Sequence, residues 1–301
     1  MINGIINIYK EKGYTSHDVV AKMRGILKIK KIGHTGTLDP DATGVLPVCI
    51  GTGTKLVDMI TDKDKTYEAV LKLGITTDTQ DITGTVLRTC EVHASYEEIK
   101  TAIMSYVGEY LQLPPMYSAV KVNGRRLYEL ARQGKEIERE RRNVTVKNIR
   151  ILHYTAEQQE ITLSVDCSKG TYIRTLLHDI GGTLGCGGTM KSLIRTAVGN
   201  FKLEDAITLS RLEELVRSSR LEPYVFKADD FFKGYDKVSV LTQYHKLIYN
   251  GNRFGPEHIS QKQEDIITEW VRVYDSQDGF VGIYGYDPAE RIYRPIKMFL
   301  S

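Results

Sequence analysis

The chain has 301 residues, a formal net charge of +3, and 41% hydrophobic against 26% charged residues. That is core material for one large domain or about two ordinary ones, and the small net charge means that any anionic partner must be met by local patches. Four widely spaced cysteines without a C-x-x-C pair, no early apolar leader and no run long enough to span a bilayer argue against a zinc or disulfide scaffold and a membrane protein. The expectation is a cytoplasmic chain.

In chain order, "MINGIINIYKEKGYTS" predicts a short strand and a turn. "SHDVVAKMRGILKIKK" predicts an amphipathic helix with Ser16 as N-cap and Val19, Val20, Met23, Ile26 and Leu27 on one face. A loop-like stretch follows, "GHTGTLDPDATGVLPVCIG" from Gly33 to Gly51, whose glycines and prolines are turn chemistry and whose acids, Asp39 and Asp41, ask for a further reason. "TYEAVLKLGITTDTQDITGTVL" alternates as strands do, and "SYEEIKTAIMSYVGEYLQLPP" predicts a helix stopped by Pro114 and Pro115. "NVTVKNIRILHYTAEQQEITLSVDCSKGTY" predicts a hairpin, and "TYIRTLLHDIGGTLG" a helix closing at its glycines. Near residue 235 the character changes to short strands around an Asp-Gly turn, "ITEWVRVYDSQDGFVGIYGYDP", which divides 1–234 from a small all-β module at 235–301. Frequent hairpins without sustained βαβ alternation predict an α+β fold with a large mixed, mainly antiparallel sheet and flanking helices.

Two basic runs stand out. Lys22, Arg24, Lys28, Lys30 and Lys31 fall in an acid-free stretch, and Arg139, Arg141, Arg142, Lys147 and Arg150 outnumber nearby acids. Taken alone, either run reads more readily as a solvated face. "DPDAT" matches the D-x-D-x-T of aspartyl-phosphate phosphatases but follows a basic, glycine-broken segment where a buried strand is required. Phosphate-loop, G-x-G-x-x-G and H-E-x-x-H spacings do not close, so neither a nucleotide cofactor nor a metal is implied.

"GHTGTLDPDATGVLP" closely resembles the signature of the bacterial tRNA pseudouridine-55 synthases of the TruB family. "PPMYSAVKVNGRRLYELARQG" and "CSKGTYIRTL" match two further stretches of that family in the expected order, and "KTYEAVLKLG" matches a third weakly. The resemblance runs from about residue 1 to 234 and implies a pseudouridine synthase catalytic domain there; residues 235–301 resemble a small, divergent RNA-binding module of PUA type. It implies Asp39 as the catalytic residue, Arg174 as its cationic partner and Tyr67 stacking on the base. It further implies Tyr172 and Leu193 lining the pocket, and His34 against the displaced stack. Lys22, Lys31, Arg141 and Arg142 become phosphate contacts to the T-arm of tRNA, and residues from about 120 to 145 are expected to be mobile without tRNA and ordered with it. A monomer with no obligate protein partner, no metal and no cofactor is expected. One departure is clear: where the family has Leu-Arg-Arg, this chain has Leu193-Ile194-Arg195. Pro40 should push Asp39 out of the α region, and Arg174 at contact distance should lower the Asp39 pKa by about 1–3 units.

Overall fold

The computed structural model describes residues 2–118, 120–122 and 124–300, with Lys121 and Asp265 as backbone only. Strands β1 (Gly4–Lys10), β2 (Ile32–His34), β3 (Thr43–Ile50) and β4 (Lys65–Leu73) alternate with helices α1 (Ser16–Leu27) and α2 (Val57–Thr61). Next come the hairpin β5 (Ile75–Thr77) and β6 (Val86–Thr89), helix α3 (Tyr96–Met104) and strand β7 (Gly108–Gln112). A short hairpin, β8 (Lys121–Val122) and β9 (Arg125–Arg126), leads into α4 (Leu127–Ala131), so the segment expected to be a closing loop carries some structure; Asn123 lies outside the described residues. The long hairpin β10 (Arg142–Thr155) and β11 (Glu160–Cys167) precedes α5 (Ile173–Thr183), β12 (Gly188–Val198), β13 (Phe201–Lys202) and α6 (Leu209–Arg217). The last elements are β14 (Asp236–Ser239), α7 (His245–Tyr249), β15 (Trp270–Tyr274), β16 (Phe280–Asp287) and β17 (Ile292–Met298).

Nine strands form one sheet in the order β1-β3-β12-β4-β11-β10-β7, with β2 on β3 and β13 on β12; β14 to β17 form a second sheet. Within the large sheet only β3 and β12 run parallel, through Thr43–Ile194 and Gly44–Arg195. The expected α+β architecture, a mainly antiparallel mixed sheet with helices on it, is what the chain builds. That parallel contact requires Gly44: its φ is +106°, and a Cβ there would lie 2.2 Å from the Arg195 carbonyl oxygen.

Strand β4 shows how sequence becomes layer. Tyr67, Ala69, Leu71 and Leu73 are buried at every second position, and they join Val165, Leu176, Ile180 and Leu193 in the core beneath α5. A second core lies between β1, β3, α1 and α6. Among the described residues no helix is long and apolar enough to cross a membrane.

Two local expectations need correction. The N-cap of α1 is Thr15, whose hydroxyl accepts from the Asp18 amide in a capping box, while Ser16 is buried and uses its hydroxyl elsewhere. Helix α3 ends at Met104 rather than at the prolines, because Gly108 (φ +114°) starts an edge strand that pairs with β10.

Candidate active site

The loop between β2 and β3 carries Asp39 and is held from several sides. Ser16 at the start of α1 accepts the Leu38 amide at 2.9 Å. From the end of β1, Lys10 Nζ donates to the Pro40 carbonyl at 3.1 Å, and the Gly13 amide donates to that same carbonyl at 2.9 Å. Leu38 and Ala42 flank Asp39 and point into the core that contains Tyr67, so the acid between them is turned outward.

Asp39 and Asp41 then separate in role. Asp41 is exposed and, among the described residues, pairs only with exposed Lys12, at 3.6 Å. Asp39 Oδ2 accepts from Arg174 Nε at 3.0 Å. Arg174 sits at the first turn of α5 and is buried, while the Asp39 side chain keeps 41% exposure and opens to solvent. The guanidinium is fully engaged. Nη1 donates to the Thr79 carbonyl at 3.0 Å and approaches Asp81 Oδ2 at 3.4 Å, and Nη2 donates to the Tyr117 carbonyl at 2.8 Å.

Arg174 lowers the Asp39 pKa as expected, but the net direction is upward. Desolvation by the surrounding protein is the largest influence and raises it; Arg174 pulls it down, and Asp81 pushes it up again. The sequence showed the opposite charge but not the second carboxylate or the protein packed around the first.

Tyr67 lies on β4, buried, with its phenol pKa pushed up by desolvation while the charge of Arg195, its cross-strand partner, opposes that rise. Tyr172 is the N-cap residue of α5. Its amide donates to Gln112 Oε1 at 2.7 Å and its carbonyl accepts from Gln112 Nε2 at 2.9 Å, a two-point clamp that places Arg174 two residues on. Leu193 is buried on β12 in the same core as Tyr67, and Ile194 faces the other side of the sheet, beside Thr43 and Glu68.

His34 ends β2. Its Nδ1 accepts the Gly36 amide at 3.3 Å, and its ring stands edge-on to exposed His17 at 5.1 Å. Burial, His17 and Arg195 push its pKa down to about 4, so at neutral pH it is an uncharged imidazole. Lys22 on α1 lies over the Tyr14 ring, and Lys31 is exposed just before β2. Arg141 donates to the Leu111 carbonyl at 3.0 Å, and exposed Arg142 lies close enough to Tyr172 to lower its pKa against burial. The structure thus pairs Asp39 with Arg174, sets Tyr67 and Leu193 in the core that also takes Leu38 and Ala42 of the Asp39 loop, fixes Tyr172 at the start of α5 and His34 at the end of β2, and leaves the four basic residues on the surface.

Sequence reading missed Lys10, Asp81, Gln112 and Arg195. Asp81 had a signal: in "TTDTQDITG" it caps its own turn by accepting from Thr79 and from the amide and hydroxyl of Thr83, as Asx-turn residues do. Lys10 had one too, as a lysine closing a mostly apolar strand; it is fully buried and its pKa is pushed down to about 8, chiefly by desolvation. Between pH 8 and 10.5 the unfolded chain therefore holds a Lys10 proton that the folded chain has lost, and stability gained from this group rises with pH across that window. Comparing urea unfolding of the wild type and Lys10→Met from pH 7 to 10 should show the wild-type curve rising more steeply, by up to about 1.4 kcal/mol per pH unit. Parallel curves would show that Lys10 is not buried as a charge.

Comparison with known proteins adds an independent observation. Residues 24–173 match the N-terminal domain of the TruB family pseudouridylate synthases, and residues 174–229 match the tRNA pseudouridylate synthase B C-terminal domain. A tRNA pseudouridine synthase B of Lachnoclostridium phytofermentans is 54% identical, covering 99% of this chain and all of that protein. One from Limosilactobacillus reuteri is 39% identical over 99% of each chain. Among solved structures, that of a Cbf5-Nop10-Gar1 complex superposes with a TM-score of 0.70 at 27% identity, covering 99% of this chain and 85% of that one. An H/ACA RNP bound to a substrate RNA containing 2'-deoxyuridine gives a TM-score of 0.69 at 25% identity, again over 99% of this chain and 85% of that one. With full-length likeness to such relatives, and with the GTLDP aspartate paired to an arginine in the cleft, the chain belongs to the TruB family of pseudouridylate synthases.

Proposed function

We propose that this chain converts uridine 55 in the T-loop of tRNA to pseudouridine, with Asp39 as the catalytic residue. The observation that carries the reading is the Asp39–Arg174 pair at 3.0 Å, whose acid alone remains open to solvent. The reaction breaks the N1–C1′ bond, turns the uracil and joins C5 to C1′; C5 gives up its hydrogen and N1 takes one, so electrons balance without an external oxidant. A carboxylate fixed against the nucleotide suits that chemistry, and a neighbouring cation helps hold it ionised.

The target base has to leave its stack, at a cost of a few kcal/mol. Tyr67 supplies an aromatic face for it, Tyr172 and Leu193 close the pocket, and neutral His34 stands at the mouth, where it can occupy the space the base vacates. Lys22, Lys31, Arg141 and Arg142 contact phosphates of the T-arm, and residues 235–301 form an RNA-binding module beside the catalytic domain 1–234. The chain acts as a cytoplasmic monomer. Relatives named as tRNA enzymes at 39–54% identity over the full length favour this reading over work inside a guide-RNA complex of the kind seen in the more distant solved structures.

The test is tritium release from tRNA labelled at C5 of uridine, with purified chain alone in EDTA. Wild type should release label, and Asp39→Ala should fall below detection while still binding tRNA. Binding without release by wild type would refute a stand-alone synthase.

A further inference from the structure

Arg195 is 1% exposed, and its carbon chain and guanidinium run beneath the Asp39 loop. Among the described residues no carboxylate lies within ion-pair distance of it, whereas the other buried arginine, Arg174, has two. Burying an unpaired cation is costly, and a site that needed only filling would be better served by an apolar side chain of similar volume. What Arg195 does have is carbonyls: Nε donates to Val45 at 2.8 Å and Nη2 to Gly36 at 3.2 Å. Those two residues bracket the segment that carries Asp39. Its backbone also pairs with Gly44 on one side and with Tyr67 on the other.

We propose that Arg195 is a positioning residue for the reaction: its planar fork staples the two ends of the 36–45 loop together and registers Asp39 against the Tyr67 ring. The proposal rests on the synthase reading for its kinetic consequence but not for its structural one. One side chain reaches both loop ends because the guanidinium holds its Nε and Nη2 donors side by side along one edge in a fixed plane, which the single ammonium of lysine cannot reproduce. Arg195 also sits cross-strand from Tyr67, and its charge opposes the burial that pushes the Tyr67 phenol pKa up. His34, Lys10 and Lys65 feel the same buried charge: desolvation is the main cause of their lowered pKa values, and Arg195 adds to it in each case.

Arg195→Lys keeps the charge and shortens the reach. It should melt cooperatively, bind tRNA and keep KM within about twofold, yet lose about 100-fold in kcat, the cost of a misplacement near 1 Å at the reacting group. Hydrogen exchange should speed up in peptides covering 36–45 and stay unchanged in β10 and β11; a general loss of core stability would instead raise exchange everywhere. Gly36→Ala probes the same contact from the loop side, because its φ is +148° and a Cβ there would lie 3.5 Å from Arg195 Nη1. It should show the same kcat loss at constant KM, and it decides the matter if Arg195→Lys does not fold. Wild-type kcat in either folded variant, or loop exchange that does not change, would overturn the proposal. Exchange reads the staple whether or not wild type releases tritium, so failure of the synthase reading and failure of this one are told apart.

Discussion

Arg174→Ala is expected to lower tritium release by about 10²–10³-fold, the usual loss when a fixed group that holds charge in an active site is removed. It should also cost about 3 kcal/mol of stability in urea unfolding, because truncating one member of a buried ion pair leaves the rest uncompensated. Here the remainder is Asp81, whose side chain is 16% exposed, and the Thr79 and Tyr117 carbonyls that lose their donor; Asp39, more open, recovers part of its hydration. Arg174→Lys should return some stability but little activity, since one ammonium cannot serve four acceptors. The pH dependence has a definite sign. Asp39 works ionised and its pKa lies above the ordinary 3.8, so turnover falls as pH drops through that raised value. Arg174 is the largest influence holding the pKa down, and its loss moves the acid limb of kcat to higher pH. A group whose folded pKa is raised stabilises most below its unfolded pKa and loses that contribution as pH rises through the folded one. The Arg174→Ala penalty should therefore shrink at acid pH, where Asp39 is protonated, and grow toward neutrality. An acid limb unchanged between wild type and Arg174→Ala would show that the pair does not set the ionisation of Asp39.

Removing residues 235–301 should destroy the cooperative melt of what remains. The second sheet begins at Asp236, but no boundary between cores falls there. Val198, Phe201, Ile60 and Phe232 from the large-sheet side share one buried cluster with Ile283 and Phe299, with Trp270 and Phe280 packed against it. Phe299 stacks near Phe280 at 5.3 Å and meets Phe232 at 5.9 Å. The Tyr274 hydroxyl donates to Asp229 at 2.9 Å across the same seam. Phe299→Ala alone should cost about 3–5 kcal/mol, a large share of the 5–15 kcal/mol that holds a typical protein folded. Unfolding of the 1–234 fragment followed by far-UV circular dichroism is the check, since the one tryptophan, Trp270, lies outside it. A cooperative transition near that of the full chain would show that the catalytic sheet stands alone and that the shared cluster is marginal.

The sequence by itself determined the elements whose signals are local. Period-two burial on β4, the β10–β11 and β15–β16 hairpins, and the α1 helix with its amphipathic face follow from patterning and turn chemistry within short windows. Asp39 was legible because a run of special turn residues and three ordered stretches point to it, and Arg174, Tyr67 and Tyr172 came with the same stretches. Only the tertiary structure decided what each of these residues feels. Asp39 and Arg174 are 135 positions apart in a chain whose loops bring Thr79, Asp81 and Tyr117 to the same guanidinium, so the second carboxylate and the net upward pKa had no local trace. The Thr15 cap displaced the expected Ser16 because the fold needed that hydroxyl to hold Leu38, and α3 stopped early because β10 offered an edge to pair with. Lys10, Gln112 and Arg195 look unremarkable along the chain. Their roles arise from long-range hydrogen bonds to backbone carbonyls and amides, which a sequence pattern does not encode because every residue offers the same groups.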